Sequence, residues 1–219
     1  MDGTSIVLVR HGESLAQERQ IVGGHEGCQG LSDRGRRQVA ALRDRLASTR
    51  ELGDVAALYA SVMPRAVETA EILAGTLGVD DVTRECDLCE QHPGECDGLP
   101  WTDVQARWPN PPLWDPDHRR VPGSETFNEM QARVAAVLDR LLERHPGETV
   151  VVACHGGVVL HSLVAWLRLD PDPTRSRAWF DAANSSITEW RISNHPWDEQ
   201  ATGIQLVRFN DHAHLAGLP

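Results

Sequence analysis

Positive charge is what this 219-residue chain lacks most, since 21 basic side chains stand against 32 acidic ones, a net charge of −11. Nucleic-acid binding rests on Lys and Arg neutralising phosphates, so this balance argues against it. A small phosphorylated ligand is not excluded, because a few convergent arginines make one pocket locally positive. No stretch approaches the roughly 20 apolar residues of a membrane span. Met1-Asp2-Gly3-Thr4 has no basic region, and the apolar run behind it is too short for a secretion signal. There is no phosphate loop of the G-x-x-x-x-G-K type and no G-x-G-x-x-G, so nucleotide-cofactor folds find no support. Internal repeats and low-complexity segments are absent too. The five cysteines, odd in number and unevenly spread, fit reduced thiols and a cytoplasmic setting. Cys86-x-x-Cys89 has the spacing of a zinc or redox pair but no second pair to match it.

What is present is ordinary for a globular chain: 41% hydrophobic and 24% charged residues, enough for one domain with a sizeable core. Ile6-Val7-Leu8-Val9 reads as a buried strand, followed by a polar, glycine-rich loop from Gln20 to Gly30. Ser32-Asp33 offers caps for a helix with Val39, Leu42 and Leu46 on one face. A strand at Val55–Ala60 precedes a helix at Met63–Leu77, with Pro64 in its tolerated first turn and Gly78 as its stop. Residues 86–123 are irregular, holding seven of the thirteen prolines and three of the seven tryptophans. Thr126-x-x-Glu129 has capping-box spacing and opens a helix to about His145, whose stripe Phe127, Met130, Val134, Val137, Leu138 and Leu141 is core. A strand at 149–153, a helix at 158–167 and late strands at 186–192 and 204–209 follow, and the last ten residues read as loose. The alternation predicts one α/β domain over 1–219, a three-layer α/β/α sandwich on a mostly parallel sheet, with 86–123 inserted as a cap.

Two histidines stand where such strands end. Arg10-His11-Gly12-Glu13-Ser14 follows the first strand, and Cys154-His155-Gly156-Gly157 follows Val150-Val151-Val152. Ligands of open α/β sheets bind outside the carboxyl ends of strands. Either histidine alone reads better as a hydrogen-bonded structural residue, whereas the pair in matching contexts points to function. In neighbouring parallel strands they would face one another across a crevice. Arg65, in the first turn of the Met63 helix, would put a guanidinium beside the positive end of a helix dipole. The competing local reading pairs it with Glu68.

Five motifs in order then resemble the histidine phosphatase superfamily, also called phosphoglycerate mutase-like. They are Arg10–Ser14 (R-H-G-E-[ST]); Ser61–Ala70 (S-x-x-x-R-A-x-E-T-A); Leu88, Glu90, Gly94 and Gly98; Pro122-Gly123-Ser124-Glu125-Thr126; and His155–Val158. The resemblance covers about residues 5 to 190. It implies that His11 is a nucleophile that becomes phosphorylated, and that Arg10, Arg65 and a protonated His155 hold the phosphoryl oxygens. Glu90 is implied as proton donor. Gly24 matches a loop glycine whose N–H reaches the phosphate, Gly156 joins the binding set, and Gln17 stands where the family commonly has Asn. Chemistry agrees: His11 needs one bare ring nitrogen, with its other N–H fixed by a neighbour such as a backbone carbonyl. Glu90 must be neutral as the ester bond breaks and can then activate water.

After Glu90 the chain has none of the tyrosine and lysine with which glycolytic mutases grip a carboxylated substrate; Tyr59 is the only tyrosine. Water is therefore the expected acceptor and the expected activity that of a phosphomonoesterase on a small phosphorylated metabolite. Mutase-type transfer and an inactive phospho-ligand binder are the alternatives. No cofactor is expected. Nor is a metal, since His25, His92, His118 and His161 show no His-x-x-x-His or carboxylate-rich spacing. Nucleic acid and membrane are not expected partners, and a homodimer is left open. Trp101, Trp108, Trp114, Arg119 and Arg120 are the cap residues whose contact with substrate the sequence leaves undecided.

Overall fold

A computed structural model describes residues 3–172, 175, 179–195 and 197–218. The first strand, β1 (Ser5–Arg10), leads into a short helix α1 (Leu15–Glu18) and then into α2 (Asp33–Thr49), β2 (Val55–Ala60), α3 (Pro64–Leu77) and β3 (Val82–Arg84). Helix α4 (Trp101–Arg107) lies inside the 86–123 segment. The chain continues through α5 (Phe127–Arg144), β4 (Thr149–Cys154), α6 (Gly156–Leu167), β5 (Ile187–His195) and β6 (Asp198–Asp211). The six strands form one sheet in the order β3-β2-β4-β1-β5-β6. Pairings among β3, β2, β4 and β1 are parallel, and β5 and β6 add an antiparallel edge.

Side chains of a strand alternate between faces, so each strand feeds two cores. Ile6, Leu8, Val150 and Val152 pack beneath α5 and α6, with Val134, Leu138 and Leu163. Their neighbours Val7, Val9, Val151 and Ala153 pack against α2 and α3, with Val39, Leu42 and Leu73. Both faces are covered, which is why β1 and β4 read as unbroken apolar runs. Since β1 continues to helices on one face and β4 to α6 on the other, their carboxyl ends border a cleft where ligands of such sheets bind. In register, Arg10 pairs with Cys154. The parallel pairing thus places the following residues, His11 and His155, side by side.

The caps act as the sequence predicts. Thr126 Oγ1 accepts from the Glu129 N–H at 3.2 Å, and the Glu129 carboxylate accepts from the Thr126 N–H at 2.8 Å. Ser32 caps α2, and Gly78 closes α3 in the left-handed region at φ 70°. Two expectations are corrected, and one strand, β3, was not foreseen at all. Edge strand β3 is only three residues long and carries no periodic signal. The 86–123 segment is not wholly irregular, because α4 seats Val104 in a small apolar cluster with Val22, Cys96 and Val121. Nor is the tail loose up to residue 218: Arg45 of α2 grips Asp211 at 2.6 Å, and Ser185 Oγ bonds His214 Nε2 at 2.9 Å. Residue 219 lies outside the described residues. Asp211's pKa is lowered, chiefly by its hydrogen bond to Arg45. That clamp is complete above the ordinary carboxylate range and is lost as pH falls through the depressed value.

Leu138 is fully buried in the α5 stripe. Leu138→Ala should therefore cost about 2–5 kcal/mol in urea unfolding, and a loss under 1 kcal/mol would contradict this packing.

Candidate active site

His11 is held by both of its nitrogens. Nδ1 lies 2.6 Å from the Gly12 carbonyl oxygen, which can only accept, so Nδ1 carries the proton. Nε2 receives a hydrogen bond from Arg65 Nε at 3.0 Å, so it is bare. That is the tautomer a nucleophile requires, with the backbone carbonyl in the role the sequence reading assigned it. Burial pushes the His11 pKa well below its ordinary 6.5, and the Arg65 charge pushes it further the same way. Only 4% of His11 is exposed.

Two guanidiniums converge here. Arg65 stands in the first turn of α3 and also donates to the Gly23 carbonyl at 2.6 Å. Its alternative partner Glu68 is engaged elsewhere, by Arg36 Nε at 2.5 Å and the Leu31 N–H at 2.8 Å. Arg10 donates to the Ala182 carbonyl and lies 3.7 Å from Asp181. Its Nε is buried with no partner, and burial lowers its pKa. Across from them Glu90 is positioned by backbone: Oε1 accepts from Gln91 N–H at 2.9 Å and Oε2 from Gly157 N–H at 3.1 Å. A Cβ on Gly157 would stand 2.0 Å from Glu90 Oε1, so only glycine lets that carboxylate approach.

These groups surround a cavity of about 490 Å³, whose wall includes Arg10, His11, Arg65, Glu90, Trp101 and Arg120. Gln17 is on that wall too. Its Oε1 accepts from the Ser14 N–H at 3.0 Å in an unforeseen capping box of α1, and its Nε2 donates to Asn184 Oδ1 at 3.4 Å. Gly24 also lines the cavity, but its N–H donates to Asp97 Oδ1 at 2.8 Å. Asp97 accepts from Glu26 and Gly27 as well, at 2.8 and 3.0 Å. The loop amides are thus used to shape the loop, which corrects the expectation of a free Gly24 N–H.

His155 departs from expectation in its charge. Its ring centroid is 5.2 Å from that of His11, as the strand register demands. The ring is fully buried, with Nε2 2.8 Å from Ser61 Oγ. It is held neutral rather than protonated, because burial, followed by the nearby Arg65 and the His11 site, lowers its pKa well below 6.5. Gly156 backs the Arg10 guanidinium, 3.5 Å from a Cβ placed there, and faces a smaller hollow. Of the cap residues, Trp101 and Arg120 reach the wall. Trp108 packs in the α4 cluster, Trp114 stacks edge-on against Phe127 at 5.3 Å, and Arg119 pairs with Glu129 at 2.6 Å.

Three supporting residues were given no role from sequence: Ser61, Asp97 and Arg133. Arg133 donates to the carbonyls of Asp87 and Cys89 at 2.7 and 2.9 Å while paired with Glu125 at 2.6 Å, which fixes the strand of chain leading to Glu90. Its signal was an arginine beside the apolar stripe of α5. The serine at the end of β2 was a weaker one.

Comparison with known proteins agrees with this geometry. The histidine phosphatase superfamily (branch 1) matches residues 6–205. Phosphoglycerate mutase-like protein 4 of Arabidopsis thaliana is 32% identical over 163 residues, 73% of this chain and 69% of that protein. A metal-independent phosphoserine phosphatase of Arabidopsis thaliana is 31% identical over 198 residues, covering 89% and 79%. Among solved structures, Bacillus stearothermophilus YhfR superposes with a TM-score of 0.76 at 25% identity, over 97% of this chain and 99% of that one. The chain belongs to the histidine phosphatase superfamily and is an enzyme of the phosphatase type. No helix among the described residues is long and apolar enough to cross a membrane.

Both imidazoles stay neutral where an exposed histidine would protonate. Their stability contribution therefore falls as pH drops below about 6.5, where the unfolded chain takes up protons that the folded one refuses. Nitrogen NMR of His11 should show an Nδ1-protonated neutral ring at pH 6; a ring titrating at or above 6.5 would contradict the geometry.

Proposed function

We propose that this protein is a phosphomonoesterase that transfers the phosphoryl group of a small metabolite to Nε2 of His11 and then to water. One observation carries the reading: a bare, buried imidazole nitrogen at hydrogen-bonding distance from Arg65, with the unpartnered Nε of Arg10 beside it. Phosphoryl transfer is mainly positioning plus neutralisation of the moving charge. Two guanidiniums, Arg65 buried and Arg10 half-buried, supply positive charge in a site where water competes little. In the first step the Nε2–P bond forms, the ester P–O bond breaks, and the Glu90 proton goes to the leaving alkoxide. In the second, Glu90 takes a proton from the attacking water, the Nε2–P bond breaks and phosphate departs. A bound dianion brings negative charge that opposes the guanidinium effect on His155, favouring its cationic form during transfer.

Water as acceptor is supported by what the wall lacks. Tyr59, the only tyrosine, is bonded to His145 Nε2 at 3.0 Å and is not on the cavity wall. All 21 basic residues are arginines, and among the described residues Arg120 is the one guanidinium on the wall besides Arg10 and Arg65. Residues 86–123 act as the cap that selects substrate. Within it, Arg120 donates Nε–H to the Trp108 carbonyl at 2.7 Å and keeps a buried, unpartnered Nη2. That donor suits one acceptor or anionic group distal to the phosphate, next to the apolar face of Trp101. Five free thiols support a cytoplasmic setting.

Assay of a phosphomonoester panel alongside 3-phosphoglycerate separates the alternatives. Inorganic phosphate should be the main product; dominant isomerisation would replace this reading with a mutase, and tight binding without turnover with a binding protein. A second test addresses the acid. Glu90→Gln should slow alkyl phosphates by about 100-fold more than nitrophenyl phosphate, whose leaving group needs little protonation. Gly157→Ala should show the same bias, since it displaces that carboxylate; equal losses on both substrates would remove Glu90 from the acid role.

A further inference from the structure

The loop shaped by Asp97 delivers one more side chain to the edge of the cavity. His25 follows Gly24, and its Nε2 lies 4.0 Å from Cys86 Sγ and 3.7 Å from Cys89 Sγ. His92 completes the group, with its ring centroid 5.3 Å from that of His25. One ligand atom from each of His25, Cys86 and His92 falls within 4.8 Å of the other two. We infer that His25, Cys86, Cys89 and His92 form a zinc-binding site that fastens the 20–30 loop to the segment bearing Glu90.

Four observations support the site. A tetrahedral zinc with bonds of about 2.3 Å to sulfur and 2.0–2.1 Å to nitrogen places sulfur and nitrogen ligands about 3.5 Å apart. The two sulfur-to-His25 distances are within about half an ångström of that. Residues 86–88 form a single 3₁₀ turn, closed by the Cys89 N–H donating to the Cys86 carbonyl at 3.0 Å. Side chains at i and i+3 eclipse in such a turn, so both thiols project to one side. His25 and Cys86 are exposed, which leaves a path for an ion, while His92 has a buried Nε2 without a partner. Thiolate and imidazole together are a borderline-soft set that suits zinc better than magnesium or calcium. No metal is expected from the sequence, where Cys86-x-x-Cys89 has no second pair and the histidines show no His-x-x-x-His spacing; His25 meets Cys86 across 61 residues.

Binding exchanges two S–H protons for the ion: each thiol releases one proton to solvent, and two thiolates with two neutral imidazoles balance the 2+ charge. The metal is a positioning element, set apart from the phosphoryl transfer itself. Glu90 lies between Cys89 and His92 in the chain. Cys89 Sγ also accepts from Ser61 Oγ at 3.3 Å, the same hydroxyl that holds His155. A metal at this point braces the supports of both groups. The site does not depend on His11 being phosphorylated, so metal content and turnover fail separately.

The test uses the full chain, purified under reducing conditions. Zinc content should reach one per chain, and cobalt(II) titration of stripped protein should give tetrahedral absorption with a thiolate charge-transfer band. Cys86→Ser and His25→Asn, both at exposed positions, should each weaken zinc by more than the roughly 100-fold typical of losing an outer-shell partner. His118→Asn should leave it unchanged. Zinc removal should lower Tm by several degrees. Absence of stoichiometric zinc, a Cys86–Cys89 disulfide in its place, or equal affinity in the Cys86→Ser variant would overturn the site.

Discussion

The Arg65 Nε–H donates to the bare Nε2 of His11, and the arrangement of the site depends on that hydrogen bond. It ties the first turn of α3 to the carboxyl end of β1, and it settles, together with the Gly12 carbonyl, which ring nitrogen is free. It also sets a cation beside an imidazole that is almost wholly buried. A buried cation beside a neutral ring is costly unless an anion joins it, because an unpaired charge in a low-dielectric site costs several kcal/mol. Arg10, with its own unpartnered Nε, adds to the same imbalance. The protein holds a charge distribution shaped for a dianion, and local stability is lower for it.

Everything that positions this cluster comes from the sheet. Parallel register between β1 and β4 brings two strand-end histidines together from residues far apart in sequence. Chain departures to opposite faces open the cleft above them. Glu90 arrives by another route, on a segment with little regular structure, and so needs separate supports: Arg133 on its carbonyls, Gly157 beneath its carboxylate and the His25–Cys86–Cys89–His92 cluster at its flank. A rigid floor and a braced side wall divide the work between nucleophile and acid.

Much of this was legible in the sequence, for physical reasons that can be named. Apolar runs and capping residues announced β1, β4, α2, α3 and α5, because burial and unsatisfied helix ends leave local signatures. The histidines were legible as a pair because glycine and charge follow each strand abruptly. Long-range polar contacts were not. Nothing local says that Asp97 consumes the Gly24 amide, that Ser61 meets His155, or that His25 meets Cys86. Each depends on a distance between segments that only the folded chain sets. The neutral state of His155 was missed for the same reason, since sequence does not reveal how little water reaches it.

The central claim is that Nε2 of His11 accepts the phosphoryl group. Rapid quench in base of enzyme mixed with a fast-leaving phosphomonoester, followed by peptide mapping, tests it most directly. The account predicts an acid-labile, base-stable phosphoryl group on the His11 peptide that forms and decays at rates compatible with turnover. Label on His155, or turnover with no labelled histidine at all, would contradict it.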